Sequence, residues 1–354
     1  MCKAKNFSMI MANMAFVCAI LVVFIHAVAG FSPAENSLGW WIVELFPNGL
    51  CRIAVPFFFF ASGYFLAAHV DECGWWRNAV RKRVQTLVIP FFVWNVFYWI
   101  YGYVIRLLFN VISGKVMLKS LSVDLGRLIG YNMMAAPIST PLWFLRALVI
   151  YVFFSAAIVF VLRSNRLARG LFMSGVAVAY LLISPWRVPE GWRCFFRFGI
   201  SLEGLFYFSV GIWSKLNHVK FNIEGTRKYI LAGGVLILGI CCFKLRVVSE
   251  DAIRQGLFHA GGVMLSLLGV ALTMPCSNFL GPVVFTAFPM YLLHCAFLFP
   301  VGRGFNMLVG DDVYHASTLI FFSKGVIAAC LSICVTMVMR KYLPLVARFL
   351  FGGR

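Results

Sequence analysis

The sequence predicts an all-α protein, a polytopic membrane helix bundle of about ten transmembrane helices with cytoplasmic N- and C-termini. Two observations lead to this class. Of the 354 residues, 62% are hydrophobic and 12% are charged, and a soluble domain of this length could not bury so much apolar surface. Long apolar runs also alternate with short basic segments. We therefore expect one transmembrane domain that occupies residues 1–354.

Ten segments are candidates for membrane spans, since a span needs roughly 20 mainly apolar residues. Their approximate bounds are 8–30, 50–69, 87–109, 141–162, 170–185, 200–214, 229–243, 256–274, 281–300 and 317–339. The sixth and seventh segments are the shortest. An even number of spans places both termini on the same side of the membrane.

The first segment, FVCAILVVFIHAVAG from Phe16 to Gly30, has two possible interpretations. Ala27-Val28-Ala29 resembles the small-residue cleavage site that follows a secretory signal peptide. However, the apolar run before Ala27 is longer than a usual signal-peptide core, and its removal would leave nine spans. We therefore expect the segment to be retained as a membrane span.

The basic residues predict the orientation of the bundle. The densest clusters share one side if Lys3 and Lys5 are inside, which favours a cytoplasmic location for that side. The clusters are Arg77, Arg81, Lys82 and Arg83; Arg163, Arg166 and Arg169; Lys215, Lys220, Arg227 and Lys228; and Arg340, Lys341, Arg348 and Arg354. This placement accounts for the net charge of +19, so we do not expect nucleic-acid binding.

His26 is a candidate catalytic residue because it lies near the end of an otherwise apolar run. A polar group there must find a partner or cost free energy. An imidazole can take a proton from a hydroxyl and return one to a leaving group. A histidine that only hydrogen-bonds to a neighbouring span is the alternative, and position alone leaves both open.

Six phrases along nearly the whole chain resemble, in the same order, the integral-membrane acyltransferase 3 family. They are ILVVFIHA, RIAVPFFFFASGYFLA, RKRVQTLVIPFFVW, PLWFLRALVIY, LFYFSVGIW and FPMYLLHCAF. The resemblance implies a single acyltransferase domain that takes an acyl group, usually acetyl, from cytoplasmic acyl-CoA. It delivers that group to a sugar hydroxyl outside, typically on polysaccharide, lipopolysaccharide, exopolysaccharide or peptidoglycan.

The resemblance also implies roles for two histidines. The family's proposed catalytic histidine corresponds to His26, and His294 in YLLH is expected to belong to the same site. His259 has no such support and is interpreted as a packing residue. The family often has an arginine eleven residues before its histidine and an acidic residue just upstream, whereas this chain has Ala15 and Ala12 there. If that arginine helps to hold the donor, this protein must hold it otherwise.

Arg77, Arg81, Lys82 and Arg83 are the candidate donor-binding residues, in a loop before the third span. Coenzyme A carries a pyrophosphate and a ribose phosphate, with which cationic side chains can pair. The family's basic loop also corresponds to this position. An orientation signal or a contact with anionic lipids would explain the same charges.

Three further charged residues lie within or at the edge of apolar segments. An unpaired arginine at mid-membrane costs about 2.5 to 3.5 kcal/mol, so Arg52 and Arg146 are expected to face a polar cavity or a carboxylate and to bind substrate. Snorkelling to the interface is the alternative. Glu203 could orient an imidazole or bind Arg146, with Glu35 and Glu44 as rivals for that role.

These expectations describe a multi-pass inner-membrane O-acyltransferase with acetyl-CoA or another acyl-CoA as donor, and with a surface glycan and membrane lipids as partners. Direct transfer and a covalent acyl-enzyme both remain open. No metal is expected, because no CxxC pair occurs and most of the cysteines lie in apolar runs. The alternative function is a sugar or carboxylate transporter or flippase, with the same charged residues along its route.

Overall fold

The structure, a computed structural model, describes residues 2–112, 139–182, 201–219, 227–275, 277–278 and 280–353. Every regular element in these ranges is helical. Up to residue 182 the α-helices are α1 Cys2–Ala27, α2 Leu38–Leu45, α3 Ala54–Ala67, α4 Trp75–Arg83, α5 Ile89–Ile112, α6 Trp143–Phe153, α7 Ser155–Arg163 and α8 Arg166–Leu182. Short 3₁₀ or π segments occupy Leu50–Ile53, Val84–Val88 and Thr140–Leu142.

The remaining described helices complete the bundle. They are α9 Leu202–Leu216, α10 Arg227–Val248, α11 Ala252–Thr273, α12 Ala287–Val309, α13 Asp311–Ala316, α14 Thr318–Tyr342 and α15 Pro344–Leu350. A 3₁₀ segment at Gly281–Thr286 leads into α12.

A helix occupies each of the ten predicted span segments, so the all-α bundle is confirmed. In the described ranges, seven helical stretches are long and apolar enough to cross a membrane, and the bent pair α6–α7 gives up to eight. Helices α8 and α9 have 17 and 15 residues and fall short of a full span. The number of spans and the side of the termini remain predictions.

The ends of α1 define the two ends of the bundle. The end where α1 begins is here called the proximal end. In the first half of α1, the Asn13 amide donates to the carbonyls of Pro275 (2.9 Å) and Ser277 (3.0 Å), just after α11. At the other end, here called the distal end, Lys324 of α14 donates to the Ala29 carbonyl. Helices α1 and α14 are therefore antiparallel.

Helices α3 and α9 pack backbone against backbone. A Cβ added to Gly63 would lie 2.1 Å from the Phe208 carbonyl oxygen, and one added to Gly211 would lie 2.1 Å from that of Phe60. Glycine permits this approach because it has no side chain to separate the helices. The pair is fixed side by side from the centre of the bundle towards its proximal end.

Helices α6 and α7 form one bent unit, with an angle of 56° at Phe154. The backbone bonds of Phe154 continue through the bend, from its N–H to the Ile150 carbonyl and from the Ile158 N–H to its carbonyl. The Phe153 carbonyl accepts a bond of 3.0 Å from the indole N–H of Trp76 in α4. Our placement of Arg77 to Arg83 in a loop was wrong, because these residues form α4. The stretch from Trp75 to Arg83 contains no proline or glycine, and its basic last turn suits the negative end of a helix dipole.

Candidate active site

The structure brings His26 and His294 together. Their ring centroids are 5.2 Å apart, with 40° between the ring planes. His26 is the last residue but one of α1, and His294 lies in the first half of α12. The two helices pack against each other, and the small residues Ala27 and Ala296, near the two histidines in sequence, are buried. His294 is fully buried and His26 is partly buried.

The hydrogen bonds of His294 fix the orientation of its ring. Its Nδ1 lies 3.2 Å from the Met290 carbonyl oxygen, and its Nε2 lies 3.3 Å from the Sγ of Cys295. A carbonyl only accepts hydrogen bonds, so Nδ1 carries the proton and Nε2 presents its lone pair when the ring is neutral. His294 can therefore accept a proton on the side that faces Cys295.

His26, His294 and Cys295 form a compact group of ligand-type atoms. Their ring nitrogens and sulfur all lie within 4.8 Å of one another. Two imidazoles and a thiolate are donors that a zinc ion accepts in proteins. The same proximity suits the passage of a proton between the two rings, so the group has two possible chemistries.

Tyrosines of α5 hold the part of α12 that carries His294. The Tyr98 hydroxyl donates to the Leu292 carbonyl at 2.5 Å, and the Tyr101 hydroxyl donates to the Ala296 carbonyl. Pro300 has no N–H, so the Ala296 carbonyl lacks its usual partner four residues later. Tyr101 replaces that partner, which an apolar environment makes necessary.

The segment after His26 is held from the distal side by a buried cation. Lys324, 3% exposed, donates from Nζ to the Ala29 carbonyl at 2.6 Å and to the Tyr314 hydroxyl at 3.2 Å. His315 donates from Nδ1 to the Gly30 carbonyl at 2.6 Å. These bonds satisfy carbonyls just after the C-terminal end of α1. They fix the end of the helix that carries His26.

Arg52 belongs to a polar network at the distal end. Its Nη2 donates to Asn48 Oδ1 at 3.1 Å, and the Asn48 amide donates to Glu44 Oε1 at 3.1 Å. Arg246 pairs with Glu44 Oε2 at 2.7 Å and donates to the Asn48 carbonyl at 3.1 Å. Arg52 is exposed and close enough to His26 for their charges to interact. It therefore lies where a substrate could reach it.

Arg246 is a network residue that our sequence analysis did not single out. An arginine near the end of the apolar run of α10 was the available signal. Its guanidinium and the Glu44 carboxylate are 19% and 23% exposed. Glu44, named as a rival of Glu203, thus has an arginine partner.

Glu203 lies in the first turn of α9 and accepts a hydrogen bond of 3.0 Å from the Tyr180 hydroxyl. Its carboxylate is also within electrostatic reach of Arg52. Arg146 is partly buried in α6, with its Nε and Nη2 atoms enclosed by protein. The hydrogen-bond partner that the structure describes for Glu203 is therefore the tyrosine Tyr180. Its roles towards an imidazole or Arg146 remain predictions.

The basic cluster of α4 lies at the proximal end. Arg77, Arg81 and Lys82 are exposed, and Arg83 is partly buried. His26 lies near the distal end of α1. A donor held at α4 would therefore need to extend through the bundle to reach the two histidines.

Comparison with known proteins shows the family of the chain. The family model described as an acyltransferase domain, Acyl_transf_3, matches residues 14–341. The chain belongs to this acyltransferase family. It is also similar to the succinoglycan biosynthesis protein ExoH of Rhizobium meliloti (strain 1021), with 23% identity over 309 residues, 85% of this chain and 75% of that protein. No solved structure matches. The match to the family model includes the segments that carry His26 and His294.

Proposed function

We propose that this protein is an inner-membrane O-acyltransferase that moves an acyl group, acetyl in the simplest case, from cytoplasmic acyl-CoA to a hydroxyl of an extracytoplasmic glycan. The observation that carries the proposal is the His26–His294 pair inside a bundle of the acyltransferase family. The similarity to a succinoglycan biosynthesis protein supports a glycan acceptor.

His26 is the proposed general base. Its imidazole accepts the proton of the acceptor hydroxyl as the oxygen attacks the thioester carbonyl. The C–S bond breaks, and the coenzyme A thiolate leaves and takes the proton from His26. The ring of His294 is oriented by its hydrogen bond to the Met290 carbonyl and holds the His26 ring in position through their contact. The transfer is direct and needs no redox partner.

The distal network is the proposed acceptor side. Arg52 is exposed there, while Arg246 is largely engaged with Glu44 and the carbonyl of Asn48. An exposed guanidinium donates hydrogen bonds to sugar hydroxyls or to acidic groups of a glycan. Arg146 of α6 is proposed to contact the substrate, and Glu203 to assist through its charge. Family membership favours this enzyme over a transporter or flippase.

The test is acyl transfer by membranes that carry the wild type or His26→Gln, supplied with labelled acetyl-CoA and a surface-glycan extract. A general base contributes typically about 10²- to 10⁴-fold, so we expect at least a hundredfold loss. His69→Gln is the matched control, because His69 is exposed and pairs only with Glu72 of its own turn among the described contacts. Protein level and membrane insertion are measured in all three.

Equal transfer by the wild type and His26→Gln would remove His26 from the chemistry. Transfer by neither protein, together with no binding of acetyl-CoA by the wild type, would contradict the proposed donor. Loss of transfer in His69→Gln as well would show that the assay reports protein quality rather than catalysis.

A further inference from the structure

A cavity of about 410 Å³ opens at the proximal end, away from the two histidines. The ends of α3, α7 and α9 and the start of α8 surround it. Its lining is mostly polar or charged and includes Asp71, Arg163, Arg169, Lys215, Asn217 and His218. The basic helix α4 does not contribute to this lining.

Two cations give the cavity its positive charge. Asp71 is paired with Arg163 at 2.5 Å, so the charge of Arg163 is largely compensated. Arg169 and Lys215 are both partly buried. In the described part of the chain neither has a carboxylate within 4.0 Å. Among its aspartate, arginine and lysine side chains, the cavity therefore has an excess of two positive charges.

Partly buried cations without a carboxylate partner indicate a site for an anion. Removing a charge from water costs free energy that an opposite charge can return. Lys215 receives limited compensation from the face of Tyr64, whose ring centroid is 5.3 Å from Nζ. The guanidinium of Arg169 has donors in the planar arrangement that matches phosphate oxygens.

A second cavity, of about 340 Å³, shares Arg169 with the first. Its lining is mainly apolar and aromatic, with Met173, Val210 and Trp213, beside Arg166. Arg169 thus stands between a charged compartment and an apolar one. A ligand that carries phosphates next to a flat ring would fill both, with the ring against Trp213.

We propose that these two cavities bind the phosphate-bearing nucleotide end of the acyl donor, with Arg169 and Lys215 as its phosphate ligands. This inference rests on the proposed function, because it locates the donor of that reaction. From the cavity, α3 leads through Tyr64 towards Arg52 and the distal site. Its 14 residues span about 21 Å at 1.5 Å per residue. The flexible acyl-bearing arm of the donor would follow that path.

The test measures the affinity of the full-length protein for coenzyme A in nanodiscs of zwitterionic lipid. We expect the double variant Arg169→Gln/Lys215→Gln to bind at least tenfold more weakly than the wild type, since each charged hydrogen bond contributes well over a factor of ten. Arg348→Gln is the matched control, because Arg348 is an exposed cation of α15 at the same end. It should bind within twofold of the wild type.

Three outcomes would overturn the inference. Unchanged affinity in a folded double variant would show that coenzyme A binds elsewhere, while the proposed function would stand. Loss of binding in Arg77→Gln/Arg81→Gln alone would assign the donor to α4. If the double variant loses only co-purifying anionic lipid and keeps its affinity for coenzyme A, the cavity is a lipid headgroup site. A wild type that binds no coenzyme A contradicts the proposed function itself.

Discussion

Substitution of Gly63 by alanine tests whether the close packing of α3 against α9 stabilises the protein. The added Cβ would lie 2.1 Å from the Phe208 carbonyl oxygen and 3.3 Å from the Ile212 amide nitrogen. Both neighbours are backbone atoms of α9, so no side chain can rotate away. The two helices must separate by more than 1 Å to restore the ordinary contact distance of at least 3.4 Å.

The cost follows from the packing that this separation removes. Overpacking of a well-packed interior typically costs about 1–3 kcal/mol. Phe59 and Phe208 are fully buried beside this contact, so a shift of one helix also loosens their contacts. We therefore expect Gly63→Ala to lower the free energy of unfolding by an amount in the upper half of that range. At the proposed donor site, the same shift would change the cavity beside Lys215 and is expected to weaken the binding of coenzyme A.

The assay is thermal unfolding of purified protein in detergent, followed by the loss of the monomeric peak after heating. Gly175→Ala is the matched control, because Gly175 is also helical and an added Cβ meets nothing within 4 Å. That control should unfold at the temperature of the wild type or above it, since alanine favours helix more than glycine does. Equal unfolding temperatures for the two variants would refute the close approach of α3 and α9.

Three more predictions follow from the site. In a double-mutant cycle of Glu203→Ala and Tyr180→Phe, each of which removes one partner of the hydrogen bond, the two losses of transfer activity should be less than additive; full additivity would contradict that bond. Lys324→Met should destabilise the protein by about 1–3 kcal/mol and reduce transfer, because the Ala29 carbonyl loses its donor, whereas Lys324→Arg should retain more of both. Chelators should leave transfer unchanged, because a metal ion would occupy the nitrogen of His26 that takes the proton; loss on chelation with rescue by zinc would contradict this.

The positions of the helices were predictable from the sequence because lipid-like apolar runs dominate it. Shorter elements were not. The helix Leu38–Leu45 has only eight residues, and isolated helices of that length are marginal. Its place depends on Arg246, which is distant in the chain and bonds to Glu44. Such a tertiary contact leaves no periodic signal in the sequence.

The candidate site was partly predictable. His26 stood out as a polar residue in an apolar run, but only the family resemblance linked it to His294, 268 positions later. No spacing rule relates residues of two helices so far apart in the chain. Charge density favoured α4 as the donor site, and that stays a prediction. The cavity beside Arg169 was not predicted, because it depends on how several helix ends are arranged around it, which the sequence does not encode locally.

The bend at Phe154 has a consequence for how the basic helix α4 is attached to the bundle. The Phe153 carbonyl at the bend accepts a hydrogen bond from Trp76 of α4. The two residues are 77 positions apart in the chain, so this bond joins two segments that are distant in the sequence. The hydrogen bond of Trp76 therefore connects the basic helix α4 to the bent unit of α6 and α7. A phenylalanine at this position would keep a ring against Phe153 but remove the hydrogen bond, so the attachment of α4 to the bend would depend on apolar packing.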